Sequence, residues 1–437
     1  MIPRLIRIAQ IAQLALAVCF AGCGDAPSDD SDVASTGEEI TTRKGNKAEI
    51  DGRGVLHVNR KPVFPIGFTT APPATSIAPS GKNGLAELRA AGGNFVRSLP
   101  LDSAGWTDAA IARERTWEDA AASHGFYCWL WLHEASSFPS PTSTRAARMR
   151  HLVKELGSHP CMAVWKGADE PQHGGVPPAE MRQAYDLLKT LDGRHPLTVI
   201  QAPVGTLSEL YAYKGTSDIT GFDMYPVGEP MGAQTDRPNK TLSIIGDLEH
   251  TARQLGTAST WMTLQISWSG VDPARGKPLM FPTRHQERFM VYDAIINGAR
   301  GLFFFGGQNT FAWQNAFDKQ QQWAWKFWDD VLKPVVEEIG ENSPLHPALI
   351  GDDSVAAIRV AKGAGIEFLA RRSPGELFII AANKASVRAQ EPVTLDGIPF
   401  GPNVDVLYEG RKLALNGGRL TDTFEPYAVH VYRIPVP

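Results

Sequence analysis

The stretch His159-Pro-Cys-Met-Ala-Val-Trp-Lys-Gly-Ala-Asp-Glu-Pro171 runs from a short apolar segment straight into two adjacent carboxylates, Asp169 and Glu170. An apolar run of this length, bounded by a proline, is typical of a buried strand. Pro171 stops the strand, because proline has no N–H to donate. The pattern predicts a buried strand that presents a carboxylate pair at its end.

Seven further apolar runs alternate with amphipathic stretches across residues 47–344, which indicates repeated βα units. The eight predicted strands cover residues 63–68, 94–97, 126–133, 164–170, 197–201, 219–225, 261–268 and 301–306. Eight such units suit a closed parallel (β/α)8 TIM barrel. An open doubly wound sheet is the alternative, but no glycine-rich phosphate loop follows the first strand. We therefore predict an α/β fold whose functional residues lie where the strands end.

Beyond residue 344 the pattern changes to short period-two strands separated by turn residues. The predicted strands cover residues 354–360, 366–371, 377–383, 392–395, 404–408 and 428–434. Since no helical period survives there, residues 345–437 are predicted to form a small antiparallel β-sandwich packed on the barrel. A structural cap is the preferred interpretation of this domain, with sugar binding as the alternative.

The amino terminus, residues 1–23, resembles a bacterial lipoprotein signal: it has a basic start, an apolar stretch, and then Phe20-Ala-Gly-Cys23. The resemblance implies a lipidated Cys23 that anchors an exported chain to the cell envelope. Gly24 after that cysteine favours the outer membrane of a Gram-negative host. A plain secretory signal cut nearby is the alternative. Residues 24–46 carry almost no large apolar side chains and are predicted to be a flexible tether.

The net charge, the cysteines and the histidines indicate which partners, bonds and ligands the chain is expected to have. A formal net charge of -4 over 437 residues gives no indication of nucleic-acid binding, and membrane contact is expected through the lipid anchor alone. Cys128 and Cys161 remain in the folded body, where two buried free thiols are the preferred interpretation and a disulfide is the alternative. The histidines show no zinc-like spacing, so no metal and no cofactor are predicted.

A family resemblance rests on several of these motifs: Phe64-Pro-Ile-Gly-Phe68, Ala91-Gly-Gly-Asn-Phe-Val-Arg97, the stretch ending in Ala168-Asp-Glu-Pro171, and Trp261-Met-Thr-Leu-Gln265. Together they resemble barrel glycoside hydrolases of the β-galactosidase and cellulase clan, and the terminal Phe424-Glu-Pro-Tyr is similar to their accessory sandwich. The resemblance implies a carbohydrate substrate and Glu170 as the general acid/base. Where the clan has Asn before this glutamate, the chain has Asp169.

The adjacent carboxylates suit proton donation. Each disfavours a negative charge on the other, so one apparent pKa of the Asp169–Glu170 pair is expected to rise. An acid that stays protonated near the working pH is needed beside a glycosidic oxygen. Successive strand residues point to opposite faces, however, so both side chains reach a ligand only if the strand kinks or has ended. An ion-paired Asp-Glu that caps a helix start is the structural alternative.

The chain differs from the clan at the position of the nucleophile, because Gln265 stands where the resemblance implies a glutamate. Three explanations stay open. The substrate's own 2-acetamido group attacks, oriented by Asp169 and hydrogen-bonded by Tyr225. Alternatively, Asp223, which shares a strand face with Tyr225, is the nucleophile or base. The third explanation is a barrel that binds sugar without cutting it.

Five further residues are candidates for binding substrate. Barrel-end aromatic rings offer faces on which sugar C–H groups stack. The candidates are Trp268, Trp165, His133, Glu134 and Arg97. Trp165 lies deeper on its strand, and Arg97 can equally bind a hydroxyl or pair with Glu170. The sequence thus favours a surface-anchored glycosidase, with a non-catalytic carbohydrate-binding lipoprotein as the alternative.

Overall fold

Eight parallel strands close into a barrel, in which neighbouring strands follow chain order and the last strand pairs with the first. The strands are β4 Ile66–Phe68, β5 Phe95–Arg97, β6 Tyr127–Trp131, β7 Met162–Asp169, β8 Leu197–Gln201, β9 Ile219–Met224, β10 Ser259–Gln265 and β11 Leu302–Phe305. The predicted TIM barrel is confirmed, and all eight predicted strands overlap observed ones.

The computed structural model describes residues 45–98, 104–228, 235–266, 280–306, 323–352, 358–362, 365–389, 392–398 and 403–436. The proposed signal segment and all but the end of the proposed tether, including Cys23, lie outside these residues. Among the residues described, no helix combines the length and apolar character needed to cross a membrane.

Helices follow most of the barrel strands and form its outer layer. They are α1 Gly84–Ala91, α2 Asp108–Ser123, α3 Thr144–Leu156, α4 Pro178–Leu191, α5 Leu207–Tyr211, α6 Ile244–Gln254 and α7 Arg284–Asn297, followed by the helices Trp323–Phe327, Lys333–Ile339 and His346–Leu349. Local sequence explains their ends. In α7, Thr283 and Gln286 form a capping box, and Gly298 ends the helix at φ 117°, a conformation that glycine adopts without strain.

A three-stranded antiparallel sheet covers the amino-terminal end of the barrel. Its strands are β1 Ala48–Ile50, β2 Leu56–Val58 and β3 Lys61–Val63. Their apolar residues pack against an aromatic layer inside the barrel, formed by Phe95, Trp129, Trp261 and Phe303. Gly67 makes room for this layer, because a Cβ there would lie 2.2 Å from the Phe303 ring. The site is therefore confined to the opposite end of the barrel.

Cys128 and Cys161 form a disulfide, with Cα atoms 5.0 Å apart. The interpretation as two free thiols is wrong. Cys128 on β6 donates its backbone N–H to the carbonyl of Cys161, which immediately precedes β7, so the two residues lie directly side by side. Neighbouring strands are separated by about the Cα spacing that a disulfide needs.

The carboxyl-terminal strands form two antiparallel sheets, which confirms the predicted sandwich. The three-stranded sheet contains β12 Arg359–Lys362, β15 Val393–Asp396 and β18 Leu420–Asp422. The five-stranded sheet contains β13 Ile366–Ser373, β14 Glu376–Asn383, β16 Asn403–Leu407, β17 Arg411–Ala414 and β19 Val429–Pro435. Strands β17 and β18 were not predicted, because β17 alternates between half-buried and exposed residues and β18 is only three residues long.

Strand β14 joins the two domains through its two faces. Leu377 and Ile379 lie in the sandwich core, whereas Phe378 and Ile380 belong to the hydrophobic core that contains the barrel helices. This alternation is the period-two pattern of a strand buried on both sides. The sandwich therefore shares a continuous apolar core with the barrel.

Candidate active site at the carboxyl end of the barrel

The carboxyl ends of β5, β6, β7 and β9 bring together most of the predicted site residues. Arg97 ends β5, Asp169 ends β7, and Asp223 lies near the end of β9. His133 follows β6 by two residues, and Glu170 immediately follows β7. Asp169 is 41% exposed and Glu170 is half-buried, so the cluster opens to solvent.

Successive strand residues point to opposite faces, but a bulge in β7 changes the face to which Asp169 points. Lys166 pairs with Thr198 of β8 and Asp169 pairs with Ile200, so three steps on β7 match two steps on β8. One extra residue in β7 returns Asp169 to the face of Lys166 instead of the opposite one. Without the bulge, Asp169 would point away from the barrel mouth.

Glu170 leaves the strand in a left-handed conformation, with φ 45°. This region is unfavourable for a residue with a Cβ, and such residues are often found at functional sites. The conformation is held by the neighbouring backbone, since the Glu170 N–H donates to the Ile200 carbonyl at 2.8 Å and the Glu170 carbonyl accepts from Gly174 at 2.8 Å. The turn redirects the Glu170 side chain toward β9.

Asp223 lies beside Glu170, and its Oδ1 atom is buried without a hydrogen-bond partner among the described residues. Asp223 is buried, and Tyr225 donates its hydroxyl to the other Asp223 oxygen at 2.9 Å. Burial, together with the negative charges of Glu170 and Asp169, raises the pKa of Asp223 well above its ordinary value. Burial beside Asp223 also raises the pKa of Tyr225, so its hydroxyl keeps its proton. Asp223 is therefore a carboxyl group at the barrel mouth whose protonated form is favoured.

Asp169 behaves oppositely because of Lys166. Burial alone would raise the Asp169 pKa, but the charges of Lys166 and Arg97 outweigh this effect and lower it. The Lys166 ammonium contacts the Asp169 carboxylate at 2.5 Å and lies 4.4 Å from the centre of the Trp131 ring. The rise in pKa expected for one carboxyl of the Asp169–Glu170 pair thus does not occur at Asp169, whereas the pKa of the neighbouring Asp223 is raised.

Trp131 is surrounded by basic side chains. His133 stacks on its ring at 3.6 Å between centroids, and the Arg97 guanidinium lies 5.2 Å from the ring centre. Burial, with the charges of Lys166 and Arg97, lowers the pKa of His133 to about 3, so the imidazole is neutral near neutral pH. Like Glu170, His133 has a positive φ, 48°. The two strained residues follow their barrel strands by one residue (Glu170) and by two residues (His133).

The other candidates have structural contacts or lie elsewhere. Gln265 is buried, and its amide accepts from the Val227 N–H and donates to the Val227 carbonyl, both at 2.8 Å. Glu134 accepts from the Trp106 N–H at 3.1 Å. Trp165 lies outside the cluster: it packs in the helical layer and donates its indole N–H to Asp192. Trp268 lies outside the described residues.

Sequence reasoning missed Lys166 and Trp131. The signal for Lys166 was present, because a lysine inside an otherwise apolar strand must find an anion or a functional role. Trp131 was indistinguishable from the other aromatic residues of Tyr127-Cys-Trp-Leu-Trp131. Within the described ranges, no three His, Cys, Asp or Glu side chains are arranged to hold a metal ion.

Several solved structures of glycoside hydrolases have a similar fold. One solved structure, described as a glycoside hydrolase, matches with a TM-score of 0.60 and 15% identity over 89% of this chain and 96% of its own. A family 5 glycoside hydrolase from Bacteroides vulgatus matches with a TM-score of 0.59 and 16% identity, over 89% and 93%. An Anoxybacillus α-amylase gives 0.51 and 10%, over 85% and 98%. These identities show a shared fold.

No protein-family profile and no curated protein sequence matches the chain.

Proposed function

We propose that the protein is a glycoside hydrolase that cleaves O-glycosidic bonds in an oligo- or polysaccharide, with Glu170 as the general acid/base. The observation that carries this proposal is the position of Glu170, at the solvent-facing end of the barrel, beside the buried Asp223, whose pKa is raised. Active sites of TIM-barrel enzymes lie at this end. The structurally similar glycoside hydrolases support the same reaction class.

The carboxyl pair would supply the proton that the reaction needs. A glycosidic oxygen leaves readily only once it is protonated, and the half-buried Glu170 is the member of the pair nearer to solvent. Asp223, buried and hydrogen-bonded by Tyr225, would stay protonated beside Glu170 when Glu170 donates its proton to the leaving oxygen. The proton released by the attacking water would then return to Glu170.

The raised pKa of Asp223 argues against this residue as an ordinary nucleophile, because attack on the anomeric carbon requires the ionised carboxylate. Asp169 is ionised and partly exposed, and in this proposal its charge stabilises the positive charge that develops at the anomeric carbon.

The test uses the purified chain and a panel of nitrophenyl glycosides that includes N-acetylhexosaminides. We expect Glu170→Gln to lower turnover of the accepted glycoside by about 100-fold or more while binding is retained. Glu49→Gln, an exposed carboxylate at the opposite end of the barrel, is the matched control and should leave turnover unchanged. Wild-type turnover by Glu170→Gln would remove Glu170 from the mechanism.

A second candidate function is carbohydrate binding without hydrolysis. Gln265 favours binding without hydrolysis, because its side-chain amide is hydrogen-bonded to the Val227 backbone at the position where the resemblance implies a nucleophilic glutamate. A chain that binds sugars but cleaves none of the panel would support this function. Strong inhibition by a thiazoline-type mimic would instead support attack by a substrate acetamide.

We also propose that Cys23 carries a lipid that anchors the chain to the cell envelope, as the sequence of residues 1–23 suggests. Metabolic labelling with a radioactive fatty acid should mark the wild-type chain and not Cys23→Ser. Equal labelling of both would contradict the proposal.

A further inference from the structure

Three buried polar atoms around the Trp131 ring lack a hydrogen-bond partner within the described part of the chain. They are Arg97 Nε, Trp131 Nε1 and His133 Nε2. Buried polar groups are normally satisfied, and leaving one unpaired costs about 1–3 kcal/mol. Other unpaired buried atoms are scattered through the described part of the chain, but these three lie around one ring at the mouth of the barrel, where a bound group can complete their hydrogen bonding.

The chemistry of these atoms limits what that group can be. Guanidinium and indole nitrogens can only donate, and the neutral imidazole of His133 can donate or accept. The missing partner must therefore offer several acceptor lone pairs. A sugar hydroxyl offers two lone pairs and carries a proton of its own, whereas a carboxylate or sulfate is an acceptor only.

The charged side chains around Trp131 also favour a ligand with an oxyanion. Two cations, Lys166 and Arg97, approach Trp131, and the described anion beside them is Asp169. Asp169 contacts Lys166 directly, whereas its charge attracts Arg97 without an ion-pair contact among the described residues. A buried guanidinium without an anion in contact is unfavourable, and a ligand oxyanion would relieve this cost.

We infer that the sugar bound at this site carries an oxyanion substituent, as a uronate or sulfated sugar does, held by Arg97, Trp131 and His133. This inference rests on the proposed function, because it names the substrate class of the same site. The acid pair Glu170–Asp223 lies on the β7–β9 side and the donors on the β5–β6 side. One sugar would thus place its oxyanion and its glycosidic oxygen on opposite sides of the mouth.

The test compares glycosides that differ only in the charged group: nitrophenyl glucuronide with glucoside, galacturonide with galactoside, and the 6-sulfated glycosides. Binding is measured with the full Glu170→Gln chain, so that it does not depend on turnover. We expect an oxyanion-bearing glycoside to bind about tenfold or more tightly than its neutral partner. Comparison of the uronides with the sulfated sugars then identifies the substituent.

Two additional substitutions locate the preference. Arg97→Gln should abolish it, and Trp131→Phe, which keeps the ring and removes the N–H, should weaken it several-fold. Equal binding of charged and neutral glycosides by the parent chain, or an unchanged preference in Arg97→Gln, would overturn the inference. The comparison of charged and neutral glycosides with the parent chain does not depend on whether the Arg97 variant folds.

The two proposals fail differently. Hydrolysis of neutral glycosides alone would overturn the oxyanion site and leave the hydrolase proposal intact. Preferential binding of charged sugars without any turnover by the wild-type chain would overturn the hydrolase proposal and support the oxyanion site.

Discussion

Lys166 and Asp169 form an ion pair whose two members differ greatly in burial. The Lys166 side chain is 2% exposed and the Asp169 side chain is 41% exposed. An ammonium removed from water needs an anion, whereas a partly exposed carboxylate can be hydrated. The pair therefore stabilises the fold mainly by neutralising Lys166.

Single substitutions in this pair should have unequal effects. Asp169→Asn leaves Lys166 buried beside a neutral amide, and we expect it to lower the free energy of unfolding by about 2–3 kcal/mol. Lys166→Met leaves Asp169 in contact with water and should cost less than about 1 kcal/mol. Urea denaturation measures both. The double variant should resemble Lys166→Met, and equal losses in the two single variants would contradict this account.

Asp223 should make stability depend on pH. Its pKa is raised in the folded state by burial and by the nearby carboxylates, so folding takes up a proton above the ordinary aspartate pKa of about 3.9. Its contribution to stability is full below that value and is lost as pH rises toward the folded pKa, by about 1.4 kcal/mol for each pH unit.

Asp223→Asn removes this titration. The melting temperature of Asp223→Asn, relative to the wild type, should therefore increase from pH 4 toward neutral pH. Thermal unfolding followed by circular dichroism at several pH values measures this difference. A difference that stays constant with pH would show that Asp223 ionises normally in the folded chain.

At the scale of elements, β6 and β7 are joined twice, by their hydrogen bonds and by the Cys128–Cys161 disulfide. The disulfide closes a segment with a sequence separation of 33 residues, for which loop entropy predicts about 3–4 kcal/mol of stabilisation. We expect the double variant Cys128→Ala/Cys161→Ala to lose about this amount in urea denaturation. A reducing agent should destabilise the wild type and leave the variant unchanged.

The same double variant should keep the turnover of the proposed hydrolase, because both cysteines lie toward the amino-terminal ends of their strands, away from the candidate site. Loss of turnover with an intact fold would contradict this separation of stability from chemistry.

Strand positions were predictable from the sequence, whereas the facing of side chains at strand ends was not. Apolar runs identify β7 and β9, and chain order places Asp169, Glu170 and Asp223 at one end of the barrel. The bulge that turns Asp169 inward depends on the register between β7 and β8, which no local pattern records. The Cys128–Cys161 bond depends on the same register. Gln265 was identified as a departure from the clan, but its contact with Val227 comes from the packing of distant residues.

At the scale of the whole molecule, the barrel and sandwich meet around helix His346–Leu349. Arg371 of β13 donates to the carbonyls of Ala348 and Leu349, and Arg300, just before β11, donates to those of Leu349 and Gly351. Two buried arginines from different domains thus bind one helix end, where basic groups are favourable. This arrangement and the shared apolar core predict cooperative unfolding.

Calorimetry should show one unfolding transition for the residues of both domains. Arg371→Leu should lower its midpoint without splitting it, with a loss of about 2–4 kcal/mol, because buried carbonyls lose their donors. Arg372→Leu, an exposed neighbour on the same strand, is the control and should change stability by less than about 0.5 kcal/mol. Two separate transitions in the wild type would contradict the cooperative account.

The left-handed backbone of Glu170 makes stability and the proposed proton donation conflict at one position. Glycine would adopt φ 45° without the steric penalty that a side chain incurs there, and would also remove one of two carboxyls that repel each other. Glutamate is thus a poor choice for robustness. In a laboratory population selected for heat tolerance alone, glycine would be expected to arise at residue 170, whereas selection for the proposed hydrolase activity would preserve the strained glutamate.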